Sequence, residues 1–436
     1  MGLTAAEKIL ANKCGVASAV PGDVVEPDPD WIMVHDNVLM SVKLELDAAG
    51  ITQLAAPGKV ILVTDHEVIY GSPRAAEKGA FNRKAARAWG VEHFYDVGRG
   101  GHGHIFPIES GMVLPGMFYF DNDRHSTNAG AVGALGFRMG SEISRVLATG
   151  TNWVTVPETI RVLMRGEVKP GVYGRDIGFH IARRMRELEM EVDYRVVEYA
   201  GDLDQFDRAA RTALCSSPTE MGAYGVFFPP SKAILEQARV LAKRAFTPVY
   251  PDPDARYEAQ LEVDLDRLEP QIALPGAVHK AVDVSKVAGT AVDHAFIGSC
   301  GSGMYEDLQA AARVLQGRRI APHVRMFIAP GSEESTRRMA RDGLLQIFIE
   351  AGAVMLPAGC GPCNEAVTGP LHAGEVSIST AAANNPGKMG SRGAQLYLGS
   401  PATVAASALA GAITDARTFS FAPGPGDAPP QRQPRE

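Results

Sequence analysis

The sequence has no apolar run long enough to span a membrane, no block of basic residues, no even set of paired cysteines and no internal repeat. Met1 to Leu10 carries no apolar core behind positive charges, so it does not read as a secretory leader. Ala6 stands where an N-myristoylation motif needs Ser or Thr. A net charge of −7 without a basic cluster gives no expectation of nucleic acid or an anionic membrane as partner, and an anionic substrate would need cations placed locally. Five cysteines, an odd number without a disulfide-like framework, point to the reducing cytoplasm.

What is present suits a large α/β protein. Hydrophobic residues make up 45% and charged residues 21% of 436 residues, enough apolar material for several cores and for two to four domains. The stretch from Gly298 to Lys388 organises the chain. It holds Gly298-Ser-Cys-Gly-Ser-Gly303, then Ala358-Gly-Cys-Gly-Pro-Cys363, then Ala382-Ala-Asn-Asn-Pro-Gly-Lys388. Three cysteines in glycine-rich turns, where missing Cβ atoms allow close approach to a bulky inorganic group, suggest a metal. A structural zinc site wants four ligands, and this spacing supplies three thiols. A histidine could be the fourth. A [4Fe-4S] cluster on three thiolates would instead leave one iron open as a Lewis acid. A lone buried cysteine beside an unrelated Cys-x-x-Cys is the remaining reading.

Elsewhere, Trp31 to His35-Asp36 and Lys59 to Asp65-His66 read as buried parallel strands with polar carboxyl ends, where open α/β sheets place ligands. Gly98-Arg-Gly-Gly-His-Gly-His104 is a glycine-rich loop without the strand-to-helix context of a dinucleotide site. Phe118 to Ser126 ends in Asp123-Arg124-His125-Ser126. Thr4 and Glu7 form a capping-box pattern for a short first helix. Thr127 to Gly150 predicts one tightly packed helix, Val156 to Gly171 a strand pair, and Glu333 to Gly352 a single helix. Cys14 reads as structural or incidental, and Cys215 as a packed thiol rather than a ligand. Strands alternate with helices after His294, so each of the three cysteines is expected on a strand-to-helix turn.

Gly298-Ser-Cys300 followed by Tyr305-Glu-Asp-Leu308, together with Gly359-Cys360-Gly-Pro-Cys363, resembles the aconitase superfamily, in particular the large subunits of 3-isopropylmalate dehydratase, from Leu3 to Asp415. The resemblance implies an aconitase-like α/β fold of three α/β/α domains (1–155, 156–285 and 286–418) around a [4Fe-4S] cluster held by Cys300, Cys360 and Cys363. It implies a catalytic set of Asp65, His66, His104, Asp123, His125 and Glu220, with His35, Arg124, Ser216, Ser302 and Lys388 toward the substrate. His102 has no counterpart in it. The swivel domain is absent, which implies a small partner subunit, and residues 419–436 are expected to be a disordered tail.

The chain departs from the family pattern where the substrate would bind. Arg124 replaces a small hydroxyl residue and Ser216 an asparagine. Cys300-Gly301-Ser302 stands for Cys-Thr-Asn, and Ala381 to Lys388 stands for Ser-Asn-Arg-Asn-x-x-Gly-Arg. Each lost charge-assisted contact to a carboxylate is worth ~1.5–3 kcal/mol. The expectation is a hydro-lyase acting on a small 2-hydroxy di- or tricarboxylic acid other than isopropylmalate or citrate. A cluster-binding or interaction protein with a decayed pocket is the alternative, and a zinc-site structural protein the third reading.

Overall fold

In the computed structural model, residues 2–364 and 368–419 are described, and they build three main sheets. Residues 420–436, the body of the expected disordered tail, lie outside them. The first sheet has five strands in the order His93–Tyr95, Val60–Val63, Trp31–His35, Phe118–Asp121, Leu135–Arg138, every pair parallel. The chain starts at the middle strand, adds two strands on one side and then crosses to the other. The carboxyl ends of Trp31–His35 and Phe118–Asp121 therefore flank a topological switch point, the crevice where such sheets hold ligands.

The second sheet is also parallel, in the order Gly225–Phe227, Val196–Gly201, Thr159–Arg165, Ala259–Asp264. The third has seven strands: Ala281–Asp283 and Gln271–Ala273 join antiparallel at one edge, followed by Gln395–Leu398, Val376–Ser379, His294–Ile297, Arg325–Ile328 and Val354–Met355 in parallel. His294–Ile297 is its first parallel strand, and its neighbours on the two sides are reached by crossovers in opposite directions. A second switch point results at the carboxyl end of this strand, just before Cys300 in the chain. Besides these there is a two-stranded ribbon of Val24–Val25 and Val154–Thr155, and the described residues form no further α/β layer. No helix among them is long and apolar enough to cross a membrane.

Local rules explain most boundaries. The Thr4–Glu7 capping box opens the helix Ala5–Cys14, Ser72 caps Pro73–Ala88, and Tyr305–Leu315 follows the first cysteine turn. Three expectations need correction. Thr127 to Gly150 is not one helix but a 3-10 stretch (Arg124–Val132), the edge strand Leu135–Arg138 and a short helix (Ile143–Thr149). Gly133 turns the chain at φ +79°, and a Cβ at Gly130 would meet the Val226 carbonyl oxygen at 2.1 Å. Those glycines serve turning and close packing, which apolar periodicity alone does not distinguish from helix. Val156 to Gly171 holds one strand, Thr159–Arg165, rather than a pair. Glu333 to Gly352 breaks into Glu333–Arg341 and Leu344–Ala351 at Gly343, whose φ of +80° is left-handed.

Candidate active site

Side chains from the carboxyl ends of the first sheet form a continuous buried network. His66 Nδ1 lies 2.8 Å from Asp65 Oδ1, and the same carboxylate takes His35 Nδ1 at 2.9 Å. His35 Nε2 is 3.1 Å from His104 Nε2, which is 3.0 Å from Asp121 Oδ2. His125 Nδ1 meets Asp123 Oδ1 at 3.0 Å. Its Nε2 lies 2.9 Å from Glu220 Oε1, at the end of the second sheet's helix Arg208–Glu220, as a close ion-pair contact rather than an aligned hydrogen bond. Arg124, at the exposed rim, reaches Glu220 with Nη1 at 3.8 Å.

Charge alternates along this network. Burial opposes charging His66, but Asp65 and Asp36 raise it to about 10. Burial likewise opposes protonated His125, yet the charge of Cys300 and close contacts with Asp123, Cys300 and Glu220 hold it well above the usual imidazole range. Asp65 and Asp123 stay ionised despite burial because imidazoles face them. His104 differs: burial and the charge on His35 keep it below the ordinary range, so it is neutral at pH 7, and its buried Nδ1 has no partner.

The third sheet brings the thiols. Cys300 follows His294–Ile297, and Cys360 and Cys363 sit on the turn after Val354–Met355. All three are buried and none is in a disulfide. The turns are made by backbone that only glycine adopts easily: Gly298 at φ +151° and Gly359 at φ +154°, where an added Cβ would meet carbonyl oxygens of Ala329 at 2.4 Å and Asp65 at 2.8 Å. Cys300 would be raised by burial, but the charge of His125 and contacts with His102 and His125 hold it well below the ordinary thiol range. Burial, then Asp65 and the other two cysteines, push Cys360 well up.

The residues fit an iron-sulfur cluster. Among the described residues, the groups of three donor atoms within 4.8 Å of one another contain at most one thiol, so the cysteines are not gathered as around a single zinc ion. Buried polar atoms without partners lie in the same region: His104 Nδ1 in the histidine network, and Nε and Nη1 of the fully buried Arg175, whose Nη1 would lie 3.1 Å from a Cβ added at Gly301. Arg175 is lowered by burial only to about 10, since Cys300, Glu220 and Cys363 support its charge. Lys388 is held above its usual value, first by the charge of Cys363 and then by Glu220, Cys360 and Asp123.

Of the residues expected to meet the substrate, Lys388 and Arg124 border this space, and Ser216 is fully buried with its Oγ unpartnered. Ser302 Oγ donates to the neighbouring Gly301 carbonyl at 2.6 Å, and both ring nitrogens of the fully buried His35 are engaged. Four residues outside the expected set also belong here. Asp36 accepts the backbone N–H groups of His66 at 3.1 Å and Glu67 at 3.0 Å, fixing the turn that carries His66. Asp121 was visible in Phe118-Tyr-Phe-Asp121, yet its position inside a buried strand hid it. His102 stood in the glycine-rich loop Gly98–His104 but without a counterpart in the resemblance, and Arg175 carried no signal beyond its residue type.

The matching family model is that of the aconitase family (aconitate hydratase), over residues 7–290 and 285–411. The chain is 40% identical to 3-isopropylmalate dehydratase large subunit 1 of Methanopyrus kandleri, covering 96% of this chain and 100% of that one. It is 39% identical to the homoaconitase large subunit of Thermus thermophilus, covering 95% and 97%. It is 36% identical to the 3-isopropylmalate dehydratase large subunit of Mycolicibacterium smegmatis, covering 96% and 97%. Similarity of this length, over the whole of the three-sheet architecture, means that the chain belongs to the aconitase family of hydro-lyases.

Proposed function

We propose that the chain is the large, cluster-bearing subunit of an enzyme that dehydrates, hydrates or isomerises a small 2-hydroxy di- or tricarboxylic acid, working with a small swivel-domain subunit in the cytoplasm. The observation that carries this reading is the convergence of three buried thiols with the His–carboxylate network on one space. Cys300, Cys360 and Cys363 would hold a [4Fe-4S] cluster, which when bound supplies an open iron as Lewis acid. The relatives' designation as large subunits supports the small-subunit partner.

The chain's own residues handle protons and anions. Loss of the substrate hydroxyl as water requires a proton. His66, kept charged by Asp65 and Asp36, and His125, kept charged by Cys300, Asp123 and Glu220, are suited to deliver it. Neutral His104, with Nδ1 free, is suited to accept one. The proton on the neighbouring carbon is left to this group or to the partner subunit. Lys388 and Arg124 are the cations for the substrate carboxylates. Ala381, Ala382 and Ala383 are buried and offer none, while Asn384 spends its amide on the carbonyls of Leu274 and Leu396. This thinner cation set supports a substrate other than isopropylmalate or citrate.

The test is anaerobic reconstitution with iron and sulfide, both assayed, and electron paramagnetic resonance before and after mild oxidation. A four-iron cluster that yields a three-iron signal is expected. A panel of hydroxy di- and tricarboxylic acids, followed by alkene absorbance with the small subunit present, then defines the substrate. Failure to assemble a cluster would overturn the proposal, and full activity on isopropylmalate would overturn its substrate part.

A further inference from the structure

His102 has no assigned role in the chemistry above, yet its ring is buried against a cluster cysteine. Its Nε2 lies 3.4 Å from Cys360 Sγ. The placement is built into the backbone. Gly101 turns at φ +115°, where a Cβ would lie 2.6 Å from the Gly331 carbonyl oxygen, and the His102 N–H donates to that carbonyl at 2.8 Å. This pins the glycine-rich loop of the first sheet to the loop following Arg325–Ile328 of the third.

The neighbours also settle which nitrogen carries the proton. The backbone N–H of His104 donates to His102 Nδ1 at 3.2 Å, so the Nδ1 lone pair is used and the neutral ring carries its hydrogen on Nε2. Asp65 Oδ2, 3.6 Å from Nδ1, is engaged instead by the Gly103 N–H at 2.8 Å and by His35. A histidine binding metal through Nε2 would need the opposite tautomer, with Nδ1–H facing an acceptor. Here Nδ1 faces a donor.

We propose that His102 is a positioning residue that donates its Nε2–H to the Cys360 sulfur and thereby sets the reduction potential of the cluster, without serving as a fourth ligand. An N–H···S bond draws charge from the thiolate and makes the cluster easier to reduce. The inference rests on the cluster assigned above.

The experiment is a redox titration of the reconstituted protein, read by electron paramagnetic resonance, for wild type, His102→Leu and His102→Gln, with thermal melts of the metal-free forms to check folding. Leucine is expected to lower the midpoint so that the reduced-to-oxidised ratio at the wild-type midpoint falls about tenfold, 59 mV for one electron. Glutamine, whose amide N–H reaches about as far, is expected to restore most of it. Equal midpoints in all three proteins, or the same shift with glutamine as with leucine, would overturn the inference and leave the cluster intact. A wild-type cluster that resists conversion to the three-iron form, when the leucine variant converts, would make His102 a ligand and overturn it too. Absence of a cluster from wild type overturns the cluster reading, and this inference with it.

Discussion

Nε2 of His125 lies 2.9 Å from Oε1 of Glu220, and this contact joins a turn of the first sheet to a helix of the second. With Asp123 on the other ring nitrogen, His125 is held between two carboxylates on separate elements. The charge of Cys300, then these two carboxylates, keeps the imidazole charged against the cost of burial.

Replacing Glu220 by Gln keeps the shape and removes one of those charges. His125 then loses its proton at lower pH, so the alkaline limb of the pH–rate profile moves to lower pH. His125→Asn is expected to reduce kcat by about 100- to 10,000-fold, the range for a general acid. An unchanged profile for Glu220→Gln would remove His125 from the proton-transfer role.

Substituting Ser for Cys300, Cys360 or Cys363 should abolish stable four-iron binding, measured as iron and sulfide per chain. Cys215→Ala is the contrasting case. That thiol lies in the apolar core of the second sheet, and burial pushes its pKa well up. Its removal should leave iron content unchanged.

Arg175 is fully buried, donates one hydrogen bond to the Ala381 carbonyl and stacks over Phe179 at 4.6 Å. A buried cation whose other donors are unsatisfied is costly unless an anionic group shares its space. Arg175→Met should therefore leave the metal-free protein as stable or more so, and diminish the rise in Tm on cluster loading. Equal gains in Tm for wild type and variant would refute this.

Asp176 ties the helix Gly174–Glu187 to the third sheet by accepting the backbone N–H groups of Tyr173 at 2.8 Å and Gln271 at 2.9 Å. Burial raises it to about 7 from an ordinary 3.8. Because the folded value is the higher, its stabilising contribution is complete below about 3.8 and is lost as pH rises through about 7. The slope in that window is about 1.4 kcal/mol per pH unit. The stability of wild type relative to Asp176→Asn, from denaturant melts, should fall across this range, and a constant difference would contradict the assignment.

Lys388→Met should raise KM about 10- to 100-fold, the range for a lost charge-assisted contact, while iron content stays constant. A change in kcat alone would assign Lys388 to the chemistry rather than to binding.

The sequence by itself determined what is local: three cysteines in glycine turns, Asp65-His66 and Asp123-x-His125 after apolar strands, and the caps that start the helices. Each depends on residues a few positions apart, so pattern suffices. The glycines of 127–150 misled because small residues serve helix packing and tight turning alike, and only contacts such as Gly130 against Val226 distinguish the two. Tertiary structure alone decided which turns meet. Strand order places Asp121 beside His35 and His104, the approach of Gly101 to Gly331 places His102 on Cys360, and the helix after residue 173 delivers Arg175 to the cysteine loops. Those juxtapositions join residues up to hundreds of positions apart, and they follow from sheet registers and crossovers that no short stretch of chain encodes.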